Sequence, residues 1–400
     1  MRAKYVIIGA GPAGLSFAAT LKKSGEDSFV VLEKEQEAGG LCRSVICGGA
    51  PLDIGGGHVL DTHNKAALDF FFSFLPESEW ELYDRSTKIA VGEHSINYPF
   101  ESNLWQFPTE TALDYLESIA AFLAARGQDQ PERFMDWIYW NFGSKIAEDY
   151  MIPYNSKIWS CDLNELGVYW LDKLPNVSFR DVLRSCIDRA PSGTLPSHSK
   201  FYYPKQYGYG EVFLRIAESL KDHIHYGCAV NSIDSETLTV NGEYQAKVIV
   251  NTAPWHGFAG SLPADVQAWV SMLKHAAIDI DYHSEPSLDK ASHWTYFADI
   301  ALPYHRIIHR DNIIKGAAGH WTETNALRRT CPGVFHHEIE YAYPLPVLNK
   351  PFAIGSILEA MERRNIFGLG RWGEWEHMNS DIAVTRGIAL AEKLGKGGAT

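Results

Sequence analysis

The residues best suited to chemistry stand at the start of the chain. An apolar run, Tyr5-Val6-Ile7-Ile8, ends in Gly9-x-Gly11-x-x-Gly14, with Pro12 and Ala13 inside the triplet. A helical pattern follows (Leu15, Ala18, Ala19, Leu21), and a second apolar run, Val30-Val31-Leu32, closes on Glu33. Strand, glycine turn, helix and strand with a terminal acid about twenty residues on is the spacing of a dinucleotide-binding βαβ unit. The chemistry it offers is the holding of a pyrophosphate. Gly9 makes the tight turn, Gly11 lets the backbone approach the phosphates at a helix N-terminus, Gly14 permits close helix-on-strand packing, and Glu33 can accept from a ribose hydroxyl. Glycines are common at strand-helix joints, so the triplet alone is a weak signal; the whole unit points to nucleotide binding.

Other residues that could act lie further on. Asp53-Ile54-Gly55-Gly56-Gly57-His58-Val59 reads as a strand entering a glycine turn, where bare backbone could lie against a planar ring or form an ordinary loop. Pro153-Tyr154-Asn155-Ser156-Lys157-Ile158-Trp159 reads as a break within a helical stretch, and aromatics at such a break line clefts more often than those at helical spacing. The six cysteines include no Cys-x-x-Cys pair, and neither they nor the sixteen histidines show metal-ligand spacing; neither disulfides nor zinc are expected.

The elements that must position these groups follow from the bulk and the pattern. Four hundred residues, 46% hydrophobic, suggest two or three domains. A formal charge of -13 argues against nucleic acid or an anionic membrane as partner, since phosphate neutralisation needs a basic surface. There is no apolar stretch long enough for a membrane span. The apolar run after Arg2 and Lys4 could imitate a signal peptide, but its glycines are better explained by the turn, and a cytoplasmic protein is expected.

Along the chain, a helix is expected from about Asn64 to Leu75 and strands from Tyr83 to Asn97 with a turn at Gly92-Glu93. Apolar residues at spacings of three and four make 109–186 a helical insertion. Val212, Phe213, Ile216 and Leu220 mark an amphipathic helix; His225 to Val230 reads as a short strand, and 246–254 as a buried strand ending in a loop. Residues 275–345 alternate as in an antiparallel sheet. The strand-glycine-helix pattern at the end, Ile366 to Leu394 with Gly395 as stop, resembles the first unit and suggests that the chain closes on the same sheet.

Two resemblances sharpen this. The opening unit with Glu33-Lys34 and Gly39-Gly40-Leu41 resembles the FAD site of glutathione-reductase-like flavoproteins. The chain as a whole resembles the UDP-galactopyranose mutases, within the amine oxidase and protoporphyrinogen oxidase-like flavoproteins, through motifs in the family's order. These are Gly56-Gly57-His58-Val59, Tyr98-Pro99-Phe100-Glu101-Ser102-Asn103-Leu104 (Pro-Phe-Gln-x-Asn in the family), and Tyr154-Asn155-Ser156-Lys157-Ile158-Trp159 followed by Leu174-Pro175. Tyr304-His305-Arg306-Ile307, Gly370-Arg371-x-Gly373 and Asp381 complete them. The implied fold is α/β: a discontinuous FAD-binding Rossmann-like domain (1–80, 200–262, 346–400), an antiparallel sheet domain (81–108, 263–345) and a helical insertion (109–199). For the cofactor, the resemblance implies contacts from Gly9, Gly11, Pro12, Ala13, Gly14, Glu33, Lys34, Gly40, Leu41, Gly56, Gly57, His58, Val230, Gly370, Arg371 and Asp381. For the substrate it implies Tyr154 on the base, Trp159 at the sugar, and Asn103, Tyr341, Trp375 and His377. His58, Arg306 and Lys173 stand nearest the chemistry.

The implied reaction is redox-neutral but needs reduced FAD. Flavin N5 attacks the anomeric carbon of a nucleotide sugar, a covalent flavin-sugar adduct opens, and the ring recloses as furanose. An external reductant such as NAD(P)H is then required, and a homodimer is the analogous assembly. Departures from the family bear on the substrate. Lys173 replaces an arginine and loses its two-pronged fork, and Trp375 and His377 stand where the family has tyrosines, so a nucleotide sugar other than UDP-galactose fits the pattern as well. The same fold would also serve an oxidase or desaturase acting on an amine or ring carbon, or a flavin-binding protein without turnover.

Overall fold

The computed structural model describes residues 1–125, 127, 129–171, 178–193, 199–329 and 333–396. Its parallel sheet runs in the order Ile366–Gly368, Val248–Asn251, Tyr5–Ile8, Phe29–Leu32, Ile224–His225. Tyr5–Ile8 and Phe29–Leu32 are buried at every position, which explains their unbroken apolar runs: such a sheet is covered on both faces. Helix Pro12–Lys23 starts directly after Gly11, with proline in the first turn where no N–H is needed. Helix Ser380–Lys396 crosses it at Gly387, where a Cβ would fall 2.1 Å from Ser16 Oγ. The last strand joins the sheet that the first one began, as the terminal strand-glycine-helix pattern anticipates.

A seven-stranded sheet lies in the order Phe335–Pro344, His275–His283, His320–Asn325, Tyr304–Ile308, Trp294–Phe297, Thr87–Val91, His94–Asn97. Its pairs are antiparallel except Trp294–Phe297 with Thr87–Val91. Two irregularities shape the site: a register shift between Tyr304 and Arg306 against His320–Asn325, and one between Ala276 and Ile278 against Phe335–Pro344.

Helices Thr109–Ala125, Phe134–Ile146, Ile152–Trp159 and Phe179–Asp188 form the helical part. Phe100, Phe134, Ile138, Ile146 and Tyr150 belong to its core. The expected break at Pro153 to Trp159 is corrected: these residues are helical, because Pro153 sits in a first turn that does not need its N–H. The irregularity comes earlier, as a π-helical turn at Ala147–Met151. The wider turn rotates the helix that follows, and Tyr150 and Tyr154 end stacked at 5.6 Å. The expected strand from His225 to Val230 shrinks to Ile224–His225, because Gly227 at φ 65° turns the chain away. No helix of the described residues is long and apolar enough to cross a membrane.

Candidate active site

The glycine turn is built as its spacing predicts. Gly9 has φ 98°, and a Cβ on Gly14 would lie 2.0 Å from Gly9 O, so helix and strand touch backbone to backbone. A Cβ on Gly40 would come within 3.1 Å of Gly11 Cα, and one on Gly370 within 2.6 Å of Ala13 Cβ. Three separate segments thus converge on the helix N-terminus with bare backbone, leaving a cradle that side chains would fill. Glu33, at the end of its strand, accepts from Ala10 N–H at 2.7 Å and Glu35 N–H at 2.9 Å. Both carboxylate oxygens are fixed beside the turn.

A cavity of about 670 Å³ lies against the seven-stranded sheet and the helical part, and none of the turn's own glycines lines it. Gly55 links the two regions: its Cα packs so closely on Leu41 that a Cβ would meet Leu41 O at 1.6 Å. Gly56, Gly57, His58, Tyr154, Trp159, Arg306, Arg371, His377 and Asp381 all line the cavity. The register shift before Arg306 matters here, because adjacent strand residues normally face opposite sides; across the bulge both His305 and Arg306 reach the same cavity.

Glu323 ties the site together. Its Oε1 accepts from Gly57 N–H at 2.9 Å, and its Oε2 accepts from Arg306 Nε at 2.9 Å and from Arg306 Nη2. Burial alone would raise this carboxyl, but Arg306 and His305 hold it at about 2. Arg306 is therefore a fixed and already paired cation. His58 is pushed down to about 4 by burial, with Arg371 adding to the effect. It is neutral at physiological pH, with Nδ1 3.2 Å from Gly56 O. Arg371 donates to Met378 O and Ala342 O and lies over the Tyr343 ring at 5.7 Å. Asp381 Oδ1 is buried and has no hydrogen-bond partner, so an acceptor on the cavity wall lacks its donor. Trp159 is anchored by Asn155 Oδ1 at 3.1 Å and meets Tyr343 edge-on.

Not every expected residue reaches the cavity. Asn103 is fully buried elsewhere, donating to Pro99 O at 2.8 Å and accepting from Gln106 at 3.2 Å. Tyr341 stacks on His275 at 4.1 Å, and Trp375, fully buried, donates to Lys274 O; neither lines the cavity. Lys34 points outward beside Glu35, and Val230 packs against the outer side of the parallel sheet. Lys173, with Leu174-Pro175, lies outside the described residues. The sequence reading missed Arg85, Tyr296, Glu323 and Tyr343, and from the 98–104 motif it took Asn103 where Tyr98 and Glu101 line the cavity. A Tyr-Pro pair recurs at 98–99, 203–204 and 343–344, each time with its tyrosine on the cavity wall.

Residues 7–74 match the family described as NAD(P)-binding Rossmann-like domain. Among solved structures, the chain is similar to reduced UDP-galactopyranose mutase at a TM-score of 0.91 with 21% identity, covering 99% of this chain and 94% of that one. It is similar to a CLA-producing fatty acid isomerase from P. acnes (TM-score 0.66, 16% identity, 98% of each chain). It is also similar to cyclohexylamine oxidase from Brevibacterium oxydans IH-35A (TM-score 0.65, 16% identity, 98% and 99%). At these identities the likeness establishes the fold: a Rossmann-like dinucleotide-binding domain with an added sheet and inserted helices, shared by mutase, isomerase and oxidase structures.

Proposed function

We propose that the chain binds FAD on its first glycine turn and, with the flavin reduced, interconverts the pyranose and furanose forms of a nucleotide-activated sugar. The observation that carries this reading is the meeting of Tyr154, Trp159, Arg306 and His58, from three distant segments, on one cavity that the Gly55–Leu41 contact joins to a dinucleotide cradle. Gly9, Gly11, Pro12, Ala13, Gly14 and Gly40 would hold the FAD diphosphate, Glu33 the ribose, and Gly56, Gly57 and His58 the ring. Gly370 and Arg371 would close over the cofactor, with Asp381 accepting from one of its hydroxyls. When bound and reduced, the flavin supplies a nucleophilic ring nitrogen for the anomeric carbon.

The remaining work falls to the protein. Arg306 neutralises charge on the leaving diphosphate, Tyr154 stacks on the base, and Trp159 with His377 walls the sugar and excludes water. Neutral His58 adds no charge beside the ring. In this reading segments 1–80, 200–262 and 346–400 hold the cofactor, while 109–199 and the sheet of 81–108 and 263–345 hold the substrate. An external reductant such as NAD(P)H, a cytoplasmic setting and a homodimer belong to the same proposal.

One observation favours a second reading, oxidation of an amine or ring carbon. Glu323 already offsets the Arg306 charge, which weakens its pull on a diphosphate. Anaerobic reduction with dithionite followed by a panel of nucleotide sugars separates the two. Conversion by the reduced protein alone supports the mutase. Bleaching of the oxidised flavin by an amine, with no sugar converted, supports the oxidase.

A further inference from the structure

His305 lines the cavity and is 1% exposed, and among the described residues neither of its ring nitrogens has a hydrogen-bond partner. A buried imidazole left unsatisfied lowers stability and calls for an explanation. The register shift before Arg306 supplies part of one, because it brings two neighbouring strand residues to a single carboxylate. Glu323 Oε2 accepts from Arg306 Nε at 2.9 Å and from Nη2, and it lies 3.6 Å from His305 Nε2. The arginine holds the oxygen, and the histidine stands just beyond hydrogen-bond reach.

The charges around the ring set its resting state. Glu323 faces it from His320–Asn325, Arg306 from its own strand, and Lys157 and Tyr154 from helix Ile152–Trp159. Lys157 is fully buried, with Nζ donating to Asp299 O at 2.8 Å. Tyr154 meets the imidazole edge-on at 6.3 Å and is kept protonated by burial. Two cations thus stand against one anion. Burial, with Arg306 and Lys157 adding to it, outweighs Glu323 and pushes the imidazole below its ordinary value, so it is neutral at pH 7.

An anion at Arg306 upsets this balance. As the guanidinium turns to the ligand, Glu323 keeps only the Gly57 N–H on its other oxygen, and a buried carboxylate without its cation is strongly disfavoured. The group placed to replace that cation is His305 with a proton on both ring nitrogens. We propose, resting on the reading of Arg306 as the diphosphate site, that His305 is a positioning residue: it takes up a proton as the diphosphate binds, pairs with Glu323 in place of Arg306, and so frees the guanidinium for the substrate. The pair opens by exchanging one cation for another, with the proton drawn from solvent. By linkage, an anion that tightens the hold on this proton is itself held tighter where protons are more abundant, so affinity rises as pH falls.

The test is calorimetric binding of UDP-galactose, UDP-glucose, ADP-glucose and GDP-mannose to the flavin-loaded protein in its oxidised form, which by the mutase reading does not turn them over. Their diphosphates are diesters and carry no proton that titrates near neutrality, unlike a terminal phosphate. Titrating the tightest binder at pH 7 in buffers of different ionisation heat counts the protons taken up. The wild type is expected to take up about half a proton or more per ligand and to bind about tenfold tighter at pH 6 than at pH 8. His305→Gln, whose amide does not titrate, is expected to lose both effects, and His305→Asn replaces it if the glutamine variant does not fold. Wild-type binding without proton uptake, or unchanged uptake in a folded variant, overturns the proposal and leaves the diphosphate reading standing. The wild-type count decides alone if neither variant folds. Failure of every nucleotide sugar to bind, or equal binding to Arg306→Ala, overturns the diphosphate reading and this proposal with it.

Discussion

Removing the Glu323 carboxylate exposes how the two sides of the site are coupled. Glu323 is 1% exposed and Arg306 17% exposed, and the pair shares Oε2 while Oε1 takes the Gly57 N–H. In Glu323→Ala the guanidinium loses its carboxylate, and breaking one side of a buried pair costs about 3–5 kcal/mol. Arg306 keeps some access to water through the cavity, so the lower end applies, and the lost acceptor for Gly57 adds about 1 kcal/mol. The expected loss is about 4 kcal/mol, read by urea unfolding at pH 7 with tryptophan fluorescence. The carboxyl is held near 2 against an ordinary value of 4.5. Its stabilisation is therefore complete above 4.5 and lost as pH falls towards 2, so wild type and variant should converge in acid. The double variant Arg306→Met/Glu323→Leu, which buries no charge, is expected to recover most of the loss. A single variant within about 1 kcal/mol of wild type, or a double variant less stable than the single, would refute the reasoning.

Arg306→Ala is expected to lower turnover on nucleotide sugars by about 100-fold or more, as loss of a charged stabiliser does; product chromatography giving activity within about tenfold of wild type would remove that role. Gly14→Ala puts a methyl 2.0 Å from Gly9 O, so the turn must open, and the purified variant should lose most of its visible flavin absorbance; a wild-type flavin content would contradict this. Asp53, fully buried, is raised to about 6 by burial, against the pull of Ser44, Tyr203 and Tyr209. Its contribution is full below its unfolded value of 3.8 and is lost as pH rises through about 6. Between pH 4 and 7 that loss is about 2 kcal/mol, and an Asp53→Asn stability profile as steep as the wild type's would contradict it.

The dinucleotide turn was legible because its chemistry is local: each glycine answers to a contact within one βαβ unit, and helix Pro12–Lys23 begins where Pro12 places it. The cavity was legible only in part. His58, Tyr154 and Arg306 stood out through short motifs, but Glu323 did not, since His320–Asn325 is buried from Trp321 onward and shows no alternation to mark a cavity face. Tyr341 was chosen and Tyr343 missed for a related reason. Two residues apart on one strand, they share a face by simple alternation, but the register shift near Ala276 breaks it. Tyr341 then meets His275 while Tyr343 reaches the cavity. The proline at 153 misled because a proline marks a break and a first helical turn alike; the π turn before it, set by packing, has no composition of its own.

A crystal structure of the flavin-loaded protein with a nucleoside diphosphate would test most directly where cofactor and substrate sit. The expected result has the cofactor diphosphate at Gly11, its ring against Gly56 to His58, the nucleotide diphosphate at Arg306 and the base on Tyr154. A glycine turn without cofactor density in flavin-saturated crystals, or a nucleotide bound outside this cavity, would contradict it.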